Sequence, residues 1–150
     1  MSTAPLKSQW IIAPTATVTL VLVEGDSMPP VLASALQQAV AGWEQVAYLH
    51  ISDAGGLQRE WLDAENQRTA FNSSSEIGTV LKGLPHGCVL LDLEQDSGGQ
   101  LAWLGSVCGH SLRFIELQSG EINQPAQLRR ILDTAQELVK HQLQAHFSMC

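Results

Sequence analysis

The chain is poor in positive charge: 8 Lys+Arg stand against 15 Asp+Glu, a formal net charge of −7. Nonspecific binding to a nucleic-acid backbone or an anionic membrane surface needs a basic face, so the balance argues against both as partners. Long hydrophobic runs are missing too, and nothing approaches the roughly 18 apolar residues of a membrane span. Near the N-terminus Trp10-Ile11-Ile12-Ala13 is too short for a secretory core and Pro14 breaks it, which predicts a cytoplasmic chain. Cysteine is scarce and odd in number (Cys88, Cys108 and Cys150), which favours reduced thiols over a disulfide framework. Nucleotide signatures are absent: the turn Glu24-Gly25-Asp26-Ser27 has one glycine and two acids, which repel a bare phosphate. No G-x-S-x-G elbow is present either.

What remains is a folding composition, 45% apolar and 15% charged over 150 residues, enough for one core. Residues 1–15 read as an N-terminal tail that adds one short extended segment at Trp10–Ala13, and 16–150 as a single domain. Thr17 to Val23 is rich in β-branched residues and ends as an apolar run, a buried strand. Ser27 offers a helix cap, and Leu32, Ala35, Leu36, Ala39, Val40 and Trp43 follow with helical spacing. Val46–Ile51 is a second strand. A weaker helix covers 57–71, and Ser73 with Glu76 fits a capping box for a short helix ending at Gly83. Cys88–Leu93 is apolar on both faces, the mark of a central parallel strand. A short helix over 99–108, an edge strand Leu112–Leu117 and a long helix from Asn123 or Gln124 complete the chain.

Alternation of strands and helices predicts an α/β fold. With right-handed crossovers it is a three-layer α/β/α sandwich around a mostly parallel sheet of four to five strands, flavodoxin-like. The last helix, roughly 35 Å long at 1.5 Å per residue, outruns a typical strand. Its end, with Leu143 and Phe147, is therefore expected to overhang the sheet and meet a partner, a second copy included.

Ligands of such sheets bind beyond the carboxyl ends of the strands, where strand order reverses. In a 2-1-3-4 order the first and third predicted strands are neighbours, and their ends carry Glu24, Asp26, Asp92, Glu94 and Asp96. Crowded carboxylates must be solvated, protonated or neutralised by a cation. Glu24, Asp26 and Asp92 are the candidate ligands of a Mg²⁺ ion, against the plainer reading that they are solvated loop acids. His86-Gly87-Cys88 and Cys108-Gly109-His110 offer two Cys and two His, but neither half has zinc-ligand spacing, which favours core cysteines and loop histidines over zinc.

Leu22-Val23-Glu24-Gly25-Asp26-Ser27, Val89-Leu90-Leu91-Asp92-Leu93 and Gly98-Gly99-Gln100-Leu101 resemble, in that order, the acidic turn, the phosphoacceptor strand and the following glycine and helix of bacterial response-regulator receiver domains. The resemblance covers roughly residues 17–118 and the last helix. It implies a phosphoacceptor at Asp92. The departures imply that the domain is degenerate. Gly25 interrupts the acidic pair, Leu117-Gln118-Ser119 replaces the family's strand-end Ser or Thr, and the family's Lys has no counterpart. The leading expectation is therefore a non-enzymatic regulatory or protein-interaction domain that takes no phosphoryl group and has no cofactor. The alternatives are a small enzyme acting on a nucleotide or sugar with Glu24, Asp92 or Glu94 as acid, base or nucleophile, and an accessory subunit docking through Trp10, Trp61 and Phe147.

Overall fold

The computed structural model describes residues 6–66, 75–85, 87–95, 100–117 and 124–148. They form a mixed α/β fold. In chain order the elements are β1 (Ser8–Ile12), β2 (Leu20–Glu24), α1 (Pro30–Val40), β3 (Val46–Ile51), α2 (Ala54–Asn66), α3 (Glu76–Lys82), β4 (Val89–Gln95), a 3-10 helix (Ala102–Ser106), β5 (Ser111–Leu117) and α4 (Gln124–Ser148). The sheet runs β1-β3-β2-β4-β5. β3, β2, β4 and β5 are mutually parallel, and β1 is antiparallel to β3.

Strand alternation splits the buried residues into two clusters. Leu20, Leu22, Tyr48, Leu91, Leu93 and Ile115 pack with Leu32 and Leu36 of α1 and with Ile131 and Ala135 of α4. Val21, Val23, Leu49, Ile51 and Leu90 pack with Leu57 of α2, Ile77 and Leu81 of α3, and Leu101 and Leu104 at the 3-10 helix. Burying each Leu, Ile or Val is worth about 1.5–3 kcal/mol. The inner strands are apolar on both sides because both sides are covered.

Several expected boundaries shift, each for a local reason. The segment expected at Trp10–Ala13 forms β1 from Ser8, tied down by Glu76, whose carboxylate accepts from Ser8 N–H at 2.8 Å, Ser8 Oγ at 2.6 Å and Lys7 N–H at 2.9 Å. A bulge between Trp10 and Ile12 turns Trp10 toward the second cluster and Ile12 toward the first. Ser75 rather than Ser73 caps α3, accepting from Gly78 N–H at 3.1 Å; Ser73 lies outside the described residues. α1 starts at Pro30 with no side-chain cap, since proline there has no N–H to satisfy. The expected helix over 99–108 is only a 3-10 turn, five residues long. α4 has 25 residues, about 37 Å, against about 23 Å for seven-residue β4.

Candidate functional site

The chain leaves β2 through α1 to β3 on one side, then returns past β2 to β4 and continues to β5 on the other. Strand order therefore reverses between β2 and β4, and the crevice beyond their carboxyl ends is where side chains of two crossovers converge. The loop Gly25–Ser27 divides it into two clefts. One, about 350 Å³, is lined by Glu24, Asp26, Met28, Pro30, Ser34, Gln37 and His50 among others. The other, about 180 Å³, lies against Asp26, Ser27, Ser52, Asp53, Glu94 and Leu101.

β2 and β4 are parallel neighbours as expected, but their register decides which acids meet. Val23 stands opposite Asp92 and Glu24 opposite Leu93. Residues paired across a ladder point to the same face, so Glu24 faces α1 and α4 whereas Asp92 and Glu94 face α2, α3 and the 3-10 helix. The structure thus brings Glu24 together with Asp26, and Asp92 together with Glu94, but not Glu24 with Asp92. Among the described residues, no group of three His, Cys, Asp or Glu side chains is arranged to hold a metal ion. Asp96 and His86 lie outside the described residues. Cys88 is buried at the start of β4, and His110 is buried with Nε2 3.1 Å from the Leu81 carbonyl.

On the first face Glu24 is 4% exposed, a carboxylate inside an apolar layer. Such a charge is tolerated only with donors. Tyr48, the last large residue of that layer on β3, donates its hydroxyl to Glu24 Oε1. His50, directly opposite Glu24 on β3, brings Nδ1 to 2.7 Å from Oε2. Its other nitrogen, Nε2, is 3.3 Å from Oδ1 of exposed Asp26. Burial, followed by the hydrogen bond to Glu24 and its charge, raises the Tyr48 pKa far above the ordinary phenol value, so Tyr48 remains a donor. The result is a hydrogen-bonded line from the core to the surface: Tyr48, Glu24, His50, Asp26.

On the second face Asp92 is fully buried, and neither carboxyl oxygen has a hydrogen bond of ordinary geometry among the described residues. Burial, and then the crowding Glu94 carboxyl as weak hydrogen-bond partner and as like charge, pushes its pKa up to about 9. Asp92 is therefore protonated at neutral pH. Glu94, 2% exposed, accepts from the N–H groups of Gln100 at 2.9 Å and Leu101 at 3.2 Å, holding the start of the 3-10 turn.

No family model matches the chain, and no curated protein matches it.

Chemically, the first cleft presents an imidazole oriented by a buried carboxylate beside an exposed carboxylate. The second presents acids already engaged as caps: Glu94 as above, and Asp53 accepting from Gly56 N–H at 3.0 Å. The larger cavities lie away from the crevice. One of about 800 Å³ runs between β1 and α3. Another of about 740 Å³ lies beside Trp43, Val139 and Leu143; Leu143 is 36% exposed there, while the side chain of Phe147 lies outside the described residues. No helix among the described residues is long and apolar enough to cross a membrane.

Tyr48 and His50 escape the reading of the sequence. Their signal is faint: two polar-tipped residues at period two, Tyr48-Leu49-His50, in an otherwise apolar strand. Only the pairing of β3 with β2 joins them to Glu24.

Proposed function

We propose that this chain is a non-enzymatic regulatory or protein-interaction domain, layered α/β/α like a receiver, that takes no phosphoryl group and recognises a partner at the crevice beyond β2 and β4. The burial of Asp92 carries this reading. A carboxylate that accepts a phosphoryl group must be ionised and must reach a donor in solvent, with cations beside it to offset the incoming charge. Asp92 is fully buried in mid-sheet with a pKa of about 9, beside another acid, and its strand neighbour Glu24 points away. A polar cluster at the switch point of the sheet then serves recognition.

Incubation of the full chain with acetyl phosphate and Mg²⁺, followed by intact-mass measurement, tests this. Unchanged mass is expected. Stoichiometric, Mg²⁺-dependent addition of a phosphoryl group at Asp92 overturns the proposal.

One observation favours the second reading, a small carboxylate enzyme: a buried Glu24 orienting His50 is also the layout of a general base. Turnover of a sugar or nucleotide substrate that Glu24→Gln abolishes, with the fold intact, would establish it. The length of α4 and the exposed Leu143 support a second copy as a partner. Sedimentation velocity at micromolar concentration decides; a clean monomer removes the dimer.

A further inference from the structure

The geometry points to the cleft between α1 and His50 as a receptor for an arginine side chain presented by a partner protein. This rests on the proposed partner-binding role and names the chemistry of the partner at that same site.

The inference follows from charge and shape. Glu24 and Asp26 both line the cleft, and the single imidazole of His50 stands between them, so two negative charges share at most one positive charge. Among the described residues no Lys or Arg lines it. The whole chain carries −7, so its long-range field draws in a cationic partner and speeds the encounter. Inorganic cations fit poorly. His50 is wedged between the carboxylates and keeps them from converging, and no three-ligand group exists among the described residues. Anionic ligands are repelled by the same acids.

An organic cation suits what is left. Asp26 has a largely exposed carboxylate whose one described partner is His50 Nε2, at the long distance of 3.3 Å. A guanidinium can meet such a carboxylate with two parallel N–H donors, which an ammonium cannot. Met28, Pro30 and Ala33 add apolar lining to the same cleft, which suits the methylene stem of a long basic side chain. Ser34 and Gln37 on α1 offer acceptor oxygens for the remaining N–H groups. Glu24, held from beneath by Tyr48, keeps His50 in place and supplies the buried negative potential. Arginine thus meets a surface carboxylate, an apolar wall and neutral acceptors together.

The test is titration of the ¹⁵N-labelled full chain with two capped tripeptides, Gly-Arg-Gly and Gly-citrulline-Gly. Citrulline keeps the shape of arginine and removes its charge. Saturable shifts confined to the amides of residues 24–37 and 50 are expected with the arginine peptide, with a Kd on the order of millimolar for one side chain. The citrulline peptide should bind at least about fivefold more weakly, and Asp26→Asn should weaken the arginine peptide by a similar factor. Asp133→Asn, on the exposed face of α4, should leave binding unchanged. Equal binding of the two peptides, equal effects of the two substitutions, or no saturation each overturns the inference. Failure here with Asp92 still unmodified by acetyl phosphate removes the arginine receptor alone; modification of Asp92 removes the functional reading itself.

Discussion

Glu24 and Asp92 are two buried acids on neighbouring parallel strands, separated by one step of register and by the thickness of the sheet. Glu24 ends β2 facing α1 and is met by a phenol and an imidazole. Asp92 sits within β4 facing α2 and α3 and, among the described residues, meets only another acid. The first face supplies hydrogen-bond donors to its carboxylate; the second leaves its carboxyl to keep a proton. The difference shows that burial alone does not decide how an acid is accommodated. The partners on the same face of the adjacent strands decide it, and register assigns those partners.

The sharpest way to break the contrast is to remove the satisfied acid. Glu24→Ala leaves the Tyr48 hydroxyl and the His50 imidazole buried or half-buried without their acceptor. The expected loss is about 2–4 kcal/mol in urea unfolding at pH 7, mostly from the buried hydroxyl left without an acceptor and the charge-assisted bonds lost. A change below about 1 kcal/mol would mean that the network contributes little to the fold.

The opposite acid behaves in the opposite way. The folded chain keeps a proton on Asp92 up to about pH 9, while the unfolded chain releases it near the ordinary value of 3.8. Between those values the folded state binds more protons than the unfolded, so the Asp92 contribution makes stability fall as pH rises. For one proton the slope is about 1.4 kcal/mol per pH unit, or about 2–3 kcal/mol from pH 6 to pH 8. Asp92→Asn should abolish that component, making the variant the less pH-sensitive protein across this window. Parallel pH profiles of the two proteins would refute the protonated state of Asp92.

His50→Ala takes one of two donors from Glu24 and leaves the other. The expected cost is about 1–2 kcal/mol, smaller than for Glu24→Ala because Tyr48 still holds the carboxylate. Equal costs for the two substitutions would mean that Tyr48 contributes nothing by itself.

Much of this was readable from residue order. The β-branched run ending at Val23, the doubly apolar Val89–Leu93 and the 3.6-residue stripe of α4 each follow from local chemistry. The expectation that β2 and β4 lie side by side also agrees with the pairing found. What could not be read is the parity of that pairing. A shift of one residue would put Glu24 and Asp92 on the same face, and no local signal in either strand specifies the shift. The antiparallel pairing of β1 with β3 was hidden for a similar reason. Its anchor, Glu76, is 68 residues away from Ser8 in sequence.

The smallest expected effect lies where the two faces meet, at Gly25. Its backbone does not adopt the left-handed conformation that favours glycine; among the described glycines only Gly87 and Gly109 do. A Cβ added at Gly25 would touch Leu101 Cδ1 at 3.6 Å and the Ile51 carbonyl at 3.9 Å, both ordinary contacts. Gly25→Ala should therefore change stability by less than about 1 kcal/mol, with the sign toward stabilisation because the unfolded chain loses freedom. The consequence bears on function. If alanine is tolerated, the loop needs no glycine for its shape, and the break in the acidic turn at Gly25 reflects the absence of a charge there. A cost above about 2 kcal/mol would instead show that the loop is too tightly packed between the clefts to admit any side chain, and a tight backbone approach would then account for the glycine.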